Sequence, residues 1–117
     1  MSSPECIFCK IVNGEIPSER VYEDEYTLAF RDITPKAPVH VLVVPKAHIK
    51  SVSELNPENS FHAAKCLEAI AKIAESEGLG GGYRVIANTG QDSGQTVFHL
   101  HFHLLGGKNL GTELVLC

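Results

Sequence analysis

Residues 99–105 read HLHFHLL, three histidines at alternate positions with large apolar residues between and after them. In a strand, alternate residues share a face, so His99, His101 and His103 point one way and Leu100, Phe102 and Leu104 the other. Such a row could serve a metal, a phosphate or a hydrated polar face of an edge strand. Same-face neighbours stand about 6 to 7 Å apart, which puts the outer two histidines roughly 13 Å apart at their backbones. One ion cannot easily gather all three, although two neighbours could share one. The full row suits an extended ligand better, such as a phosphate with a leaving group to one side. Three histidines at period two, in a chain with six in all, argue against the merely hydrated face.

Phosphoryl or nucleotidyl transfer needs a nucleophile, groups that neutralise nonbridging oxygens, and a proton for the leaving atom. Neutral imidazole is a nucleophile near pH 7 when a neighbour fixes its tautomer. His101, flanked on both sides, is the natural centre. The preceding loop, TGQDSGQ, adds Gly90 and Gly94 with polar Gln91, Asp92, Ser93, Gln95 and Thr96. Its backbone N–H groups and hydroxyls can turn toward an anion.

A second cluster begins at Cys6 and Cys9. C-x-x-C is half of a zinc site, and His48 is the first candidate for a third ligand. The alternative is a reduced, half-buried thiol pair. Cys66, on a helical segment, reads as core, and His62 as solvent-facing.

These residues must be placed by a modest scaffold. A chain of 117 residues is one domain's worth and buries one core. Apolar spacing predicts a short helix over residues 4–13 closed by Gly14, putting Cys6 and Cys9 on one face. A hairpin follows, with strands at 20–23 and 27–32 around the turn at 23–25, Leu28, Phe30 and Asp32 sharing a face. The proline-bearing loop ITPKAP leads into VHVLVV at 39–44, the best central strand, with His40, Leu42 and Val44 opposite Val39, Val41 and Val43. Asn56-Pro57-Glu58 reads as a helix start and Gly78 as its stop. Phe61, Ala64, Leu67, Ile70, Ala71 and Ala74 form its expected buried stripe. Strands at 83–88 and 96–105 complete an α+β domain, an antiparallel sheet of about five strands with one long and one short helix.

The composition, 44% hydrophobic and 21% charged, fits a globular protein. A net charge of −4 argues against a nucleic-acid binder working by phosphate neutralisation. No apolar stretch approaches the roughly 18 residues of a membrane span, and no leader pattern opens the chain. The expected location is cytoplasmic or nuclear, with thiols reduced or metal-bound. Cys117, the last residue, cannot form a prenylation box.

GQTVFHLHFHLLGG resembles the signature of the histidine triad (HIT) family, and its Leu-Gly-Gly ending looks like the HINT branch. CIFCKIVNGEIPSERVYEDE and LAFRDITPKAPVHVLVVPKAHI resemble the family in order and spacing, so the likeness runs to about Gly107, with a variable tail from about residue 108 within a single domain over 1–117. The resemblance implies a homodimer that hydrolyses purine nucleoside 5'-phosphoramidates through a nucleotidyl-histidine intermediate, with no cofactor needed for the chemistry. It makes His101 the nucleophile and His103 a phosphate contact, with His99 and His40 supporting the active imidazole; the strand parities permit those two to meet. Thr96 joins this catalytic set, standing where HINT proteins usually carry serine. Asp32 matches the ribose acid, and Ile7, Phe8, Ile11, Phe30, Ile33 and Leu42 resemble the base slot. Asn88, Gly94, Gln95, Thr96 and Val97 resemble the phosphate-side wall. Some family members bind a structural zinc at the positions of Cys6, Cys9, His48 and His99. Arg31 departs from the histidine that commonly precedes the ribose acid, and the tail departs from that of animal HINT proteins. Dinucleoside polyphosphate hydrolysis and a non-catalytic nucleotide-binding or scaffold role are the competing functions.

Overall fold

Short turns join the first three strands, and antiparallel pairing is the geometry such turns allow. In the computed structural model, which describes residues 5–112, helix α1 (Ile7–Val12) precedes β1 (Arg20–Glu23), β2 (Thr27–Arg31) and β3 (Val39–Pro45). Helix α2 (Phe61–Ser76) then leads to β4 (Tyr83–Ile86) and β5 (Phe102–Gly106). The five strands form one sheet in the order β1-β2-β3-β5-β4, antiparallel at every junction. The expected α+β architecture is therefore the one observed. The first residue of the expected short helix, position 4, and residues 113–117 of the variable tail lie outside the described residues.

The hairpin between β1 and β2 closes on Asp24, whose Oδ1 accepts the N–H groups of Tyr26 and Thr27 at 2.9 Å each. Along β3 the period-two pattern buries both faces. Val41 and Val43, with Ala29 of β2 and Leu104 of β5, pack against Cys66, Ala69, Ile70, Ile73 and Ala74 of α2. On the other face Leu28, Phe30, Leu42 and Val44 meet Phe8 and Ile11 of α1. Gly106 ends β5 where a Cβ would stand 2.9 Å from the Leu79 side chain, so the glycine after HLL permits close approach of this strand and the segment following α2.

Three expectations are corrected. Asn56 does cap, its Oδ1 accepting from Glu58 and Asn59 at 2.9 and 3.0 Å, but Asn59 returns its side chain to the Asn56 N–H and closes a separate turn. The helix consequently starts at Phe61, not Asn56. Its buried stripe is rotated from the expected one: Phe61 and Leu67 are about half exposed and Ala64 and Ala71 face solvent, while Cys66, Ala69, Ile70, Ile73 and Ala74 are buried. Helical spacing allows both stripes, and the sheet selects the one with Ile73 at its centre. Finally, β5 begins at Phe102, not residue 96, so only His103 of the three histidines belongs to the ladder. Residues 96–101 remain outside the sheet and lie against the segment after β3, Leu100 N–H donating to the Ile49 carbonyl at 2.6 Å.

Candidate active site

The three histidines divide into different environments. Alternation survives outside the ladder: Leu100, Phe102 and Leu104 are buried in the α2-side core, and the imidazoles turn away from it. His101 Nδ1–H donates to the His99 carbonyl at 2.8 Å. That bond assigns the proton to Nδ1 and leaves the Nε2 lone pair free to attack. The Phe8 ring stands edge-on to His101 at 5.0 Å and 90°. Burial holds the His101 pKa below its usual value, against opposing contributions from the His99 carbonyl and Asp32. The ring is therefore neutral and nucleophilic near pH 7.

His103 and His40 form a relay of fixed tautomers. The Lys36 N–H donates to His40 Nδ1 at 3.0 Å, so the neutral His40 carries its proton on Nε2. His40 Nε2–H donates to His103 Nδ1 at 2.9 Å, which leaves His103 with an Nε2–H to offer a ligand. Burial first, then the neighbouring His101 and His40, push the His103 pKa down to about 4. Burial also lowers the pKa of His40. Both rings thus work as neutral donors. Asp32, just past β2, stands with Oδ2 3.4 Å from His40 Nε2, while Oδ1 accepts the Thr34 N–H at 2.8 Å and hydroxyl at 3.2 Å. Asp32, His40 and His103 are close enough to suggest a cation site. The Lys36 N–H opposes it, because it places a proton on the His40 nitrogen that would have to ligate.

His99 does not meet His40, as the strand parities had permitted; His40 pairs with His103 instead. β3 runs antiparallel to β5 with His40 opposite Leu105 and Leu42 opposite His103, and His99 lies beyond the ladder. Its Nε2–H donates to the Pro45 carbonyl at 2.8 Å, so Nδ1 presents its lone pair to Cys6 Sγ at 3.3 Å and Cys9 Sγ at 3.5 Å. Cys9 Sγ is also 3.2 Å from His48 Nδ1. Cys6, as the N-cap of α1, accepts the Cys9 N–H on its sulfur, which places both thiols on one side of the helix start. Four ligand atoms lie within 4.8 Å of one another. A tetrahedral zinc with bonds of about 2.3 Å to sulfur and 2.0–2.1 Å to nitrogen needs ligand separations of about 3.4–3.8 Å, close to those present. The lone pair on His99 Nδ1, secured by a carbonyl on the far nitrogen, suits metal binding. Cys6, Cys9, His48 and His99 therefore fit a structural zinc. Cys66, by contrast, is fully buried under α2, its thiol pushed up to about 12 by burial, and His62 is partly buried.

Four of the residues expected to form the base slot make a buried apolar cluster beside His101. Phe8, Ile11, Phe30 and Leu42 pack together, with Val97 against them; Phe8 and Phe30 meet edge-on at 5.6 Å. Ile7 and Ile33, expected in the slot, are not part of this buried cluster; they are 47% and 95% exposed. Asn88 follows the end of β4, two residues beyond Ile86, which pairs with His103. In the loop, Gly94 adopts φ +89°, open to glycine at little cost. Gln95 is turned inward: its Oε1 accepts the Gly90 N–H at 2.8 Å, and its Nε2 donates to the Lys50 and Val97 carbonyls at 3.0 and 3.1 Å. The side chain braces the loop, the Ser93, Gly94 and Gln95 N–H groups are taken by the Gly90 and Gln91 carbonyls, and the Thr96 hydroxyl is left exposed. Arg31 points away from the slot, forking onto Glu77 at the end of α2 with two 3.0 Å bonds.

Sequence reasoning missed the Lys36 N–H, the Pro45 carbonyl and the Phe8 contact with His101. The first two are backbone groups with no residue-type signature. Phe8, placed in the base slot from resemblance, gave no sign that its ring would also touch His101.

Comparison with known proteins agrees with this fold. The HIT domain family model matches residues 13–110. The purine nucleoside phosphoramidase of Escherichia coli K12 is 47% identical over 111 residues, spanning 94% of this chain and 93% of that protein. Among solved structures, a HIT family hydrolase from Clostridium thermocellum superposes with a TM-score of 0.94 at 48% identity, covering 97% of this chain and 99% of the other. A histidine triad protein from Clostridium difficile gives 0.93 at 48% identity, covering 97% and 100%. With its histidine row, loop and sheet arranged as described, this chain belongs to the HIT family.

Proposed function

We propose that the protein hydrolyses purine nucleoside 5'-phosphoramidates, with His101 as the nucleophile. It is an enzyme, a nucleotidyl hydrolase of its family, and the observation that carries the finer reading is the tautomer pattern: an Nε2 lone pair on His101 beside an Nε2–H on His103. The purine lies in the slot of Phe8, Ile11, Phe30 and Leu42, with Ile7 and Ile33 at the rim, and Asp32 accepts the ribose hydroxyls. Asn88 and the stretch Gly94, Gln95, Thr96 and Val97, with the exposed Thr96 hydroxyl, flank the phosphate.

His101 Nε2 forms a bond to phosphorus as the P–N bond breaks. His103 Nε2–H steadies a nonbridging oxygen, its ring held in register by His40. The nitrogen leaves as the amine with a proton from the solvent side, where the Thr96 hydroxyl stands. Water then attacks phosphorus and breaks the P–Nε2 bond, giving up a proton to solvent and releasing the nucleoside monophosphate and neutral His101. The chemistry requires no cofactor. Cys6, Cys9, His48 and His99 would hold a zinc that lends rigidity and takes no part in the bond changes. The exposed Phe61 and Leu67 of α2 and Tyr83 and Val85 of the edge strand β4 favour a homodimer that covers them. The name of the Escherichia coli relative supports the purine phosphoramidate substrate.

Steady-state hydrolysis of adenosine and guanosine 5'-phosphoramidates, compared with diadenosine polyphosphates, tests the reading. The phosphoramidates should turn over with the higher kcat/KM. A preference for the polyphosphates would replace this substrate class with the other.

A further inference from the structure

The Cys6, Cys9, His48 and His99 cluster lies to one side of the substrate slot, yet two contacts run from it into the nucleophile. His99 uses three of its polar groups: Nδ1 faces the sulfurs, Nε2–H holds the Pro45 carbonyl, and its own carbonyl fixes His101 Nδ1–H. The second contact is Phe8. It lies between Cys6 and Cys9 in sequence, and its ring meets His101 at 5.0 Å, Phe30 at 5.6 Å and His99 at 6.0 Å.

The helix carrying Phe8 is six residues long. A helix of this length has too few internal bonds to persist alone, so packing and the cluster must set its position. The other side of the slot depends less on them. Phe30 and Leu42 sit in β2 and β3, paired to each other across the ladder, and Asp32 N–H donates to the His40 carbonyl at 3.0 Å.

We propose that this cluster is a positioning device for His101: closed around its metal, it fixes the start of α1 and the 99–101 run, and so aligns Nε2 for attack. Emptying it costs alignment more than nucleotide affinity. Cys6, Cys9 and His48 are positioning residues, acting through His99 and Phe8. The inference rests on His101 being the nucleophile proposed above.

The test uses the full chain loaded with zinc, stripped with a chelator, and reloaded with zinc or cobalt. In the stripped protein, rapid-quench nucleotidylation of His101 by adenosine 5'-phosphoramidate should slow about tenfold or more, because small misplacements of reacting groups cost that much or more. The Kd for adenosine monophosphate should stay within about threefold, since the sheet side of the slot is intact. Zinc should restore the rate. Nucleotide bound in the slot touches Phe8 and His101, so adding adenosine monophosphate should shift the visible bands of the cobalt-loaded protein with little change in the affinity of either ligand. Ile73→Ala, on the far face, matches for general destabilisation and should leave the nucleotidylation rate of the folded protein unchanged. If stripping unfolds the chain, Phe8→Leu decides: it should keep the cobalt spectrum and slow nucleotidylation. An unchanged rate in stripped protein or in Phe8→Leu, failure to take up either metal, or cobalt bands indifferent to the nucleotide would overturn the proposal. If the loaded protein leaves the phosphoramidate intact, the functional reading falls, while the cobalt titration still decides the coupling.

Discussion

The two faces of the sheet use the same alternation for different ends. On the α2 side, Ala29, Val41, Val43, Phe102 and Leu104 meet Ile70 and Ile73 in an apolar core. On the α1 side, the same strands carry Leu28, Phe30, Leu42, His40 and His103, so packing there grades into chemistry. The first face tolerates loss of volume as a matter of stability alone. The second holds donors and lone pairs in fixed positions, and a change of one atom alters what the site can do.

The sharpest way to break this contrast is His101→Ala. Turnover of a phosphoramidate should fall by about 10³-fold or more, as for other covalent catalytic groups, while circular dichroism still reports the folded sheet. Ile73→Ala should do the reverse. It should cost about 2–5 kcal/mol in chemical denaturation with kcat of the folded protein unchanged. A large kcat loss there would erase the distinction between the faces.

Acid probes the chemical face from another direction. The His103 pKa is held at about 4 in the folded chain, below its unfolded value near 6.5. The unfolded state therefore binds the proton first on acidification. His103 contributes stability that is complete above about pH 6.5 and is lost as pH falls toward about 4. Denaturation of the native protein and of His103→Gln across that window should show the slope flattening in the variant; identical slopes would remove His103 as its source. The smallest effect is expected at Arg31→Ala. Its fork to Glu77 is partly exposed, so its loss should cost about 1 kcal/mol or less, and nucleotide affinity should hold because the side chain points away from the slot.

Much of this was legible in residue types. The period of VHVLVV placed His40 and Leu42 on one face and Val41 and Val43 on the other, as found. The alternation of HLHFHLL kept Leu100, Phe102 and Leu104 in the core even where the ladder had ended, because alternation reports extended backbone and not its hydrogen-bond partners. For the same reason it overextended β5. α2 exposed the corresponding weakness of helical periodicity: Phe61 and Leu67 fit one stripe, Cys66 and Ile73 another, and only the sheet chooses. Gln95 was read for its polarity, yet its amide is consumed by the loop. The pairing of His40 with His103 instead of His99 depends on register, which no local pattern encodes. The groups that set the tautomers, the Lys36 N–H and the His99 and Pro45 carbonyls, belong to the backbone and carry no identity at all.

The central claim is that His101 Nε2 forms a bond to phosphorus. Acid-quenching the protein during turnover of adenosine 5'-phosphoramidate, followed by peptide mass spectrometry, tests it most directly. The account predicts an adenylate on the 99–103 histidine segment, assigned by fragmentation to His101, formed at least as fast as turnover and lost in His101→Ala. Turnover with no such adduct, or an adduct on His99 or His103, would contradict it.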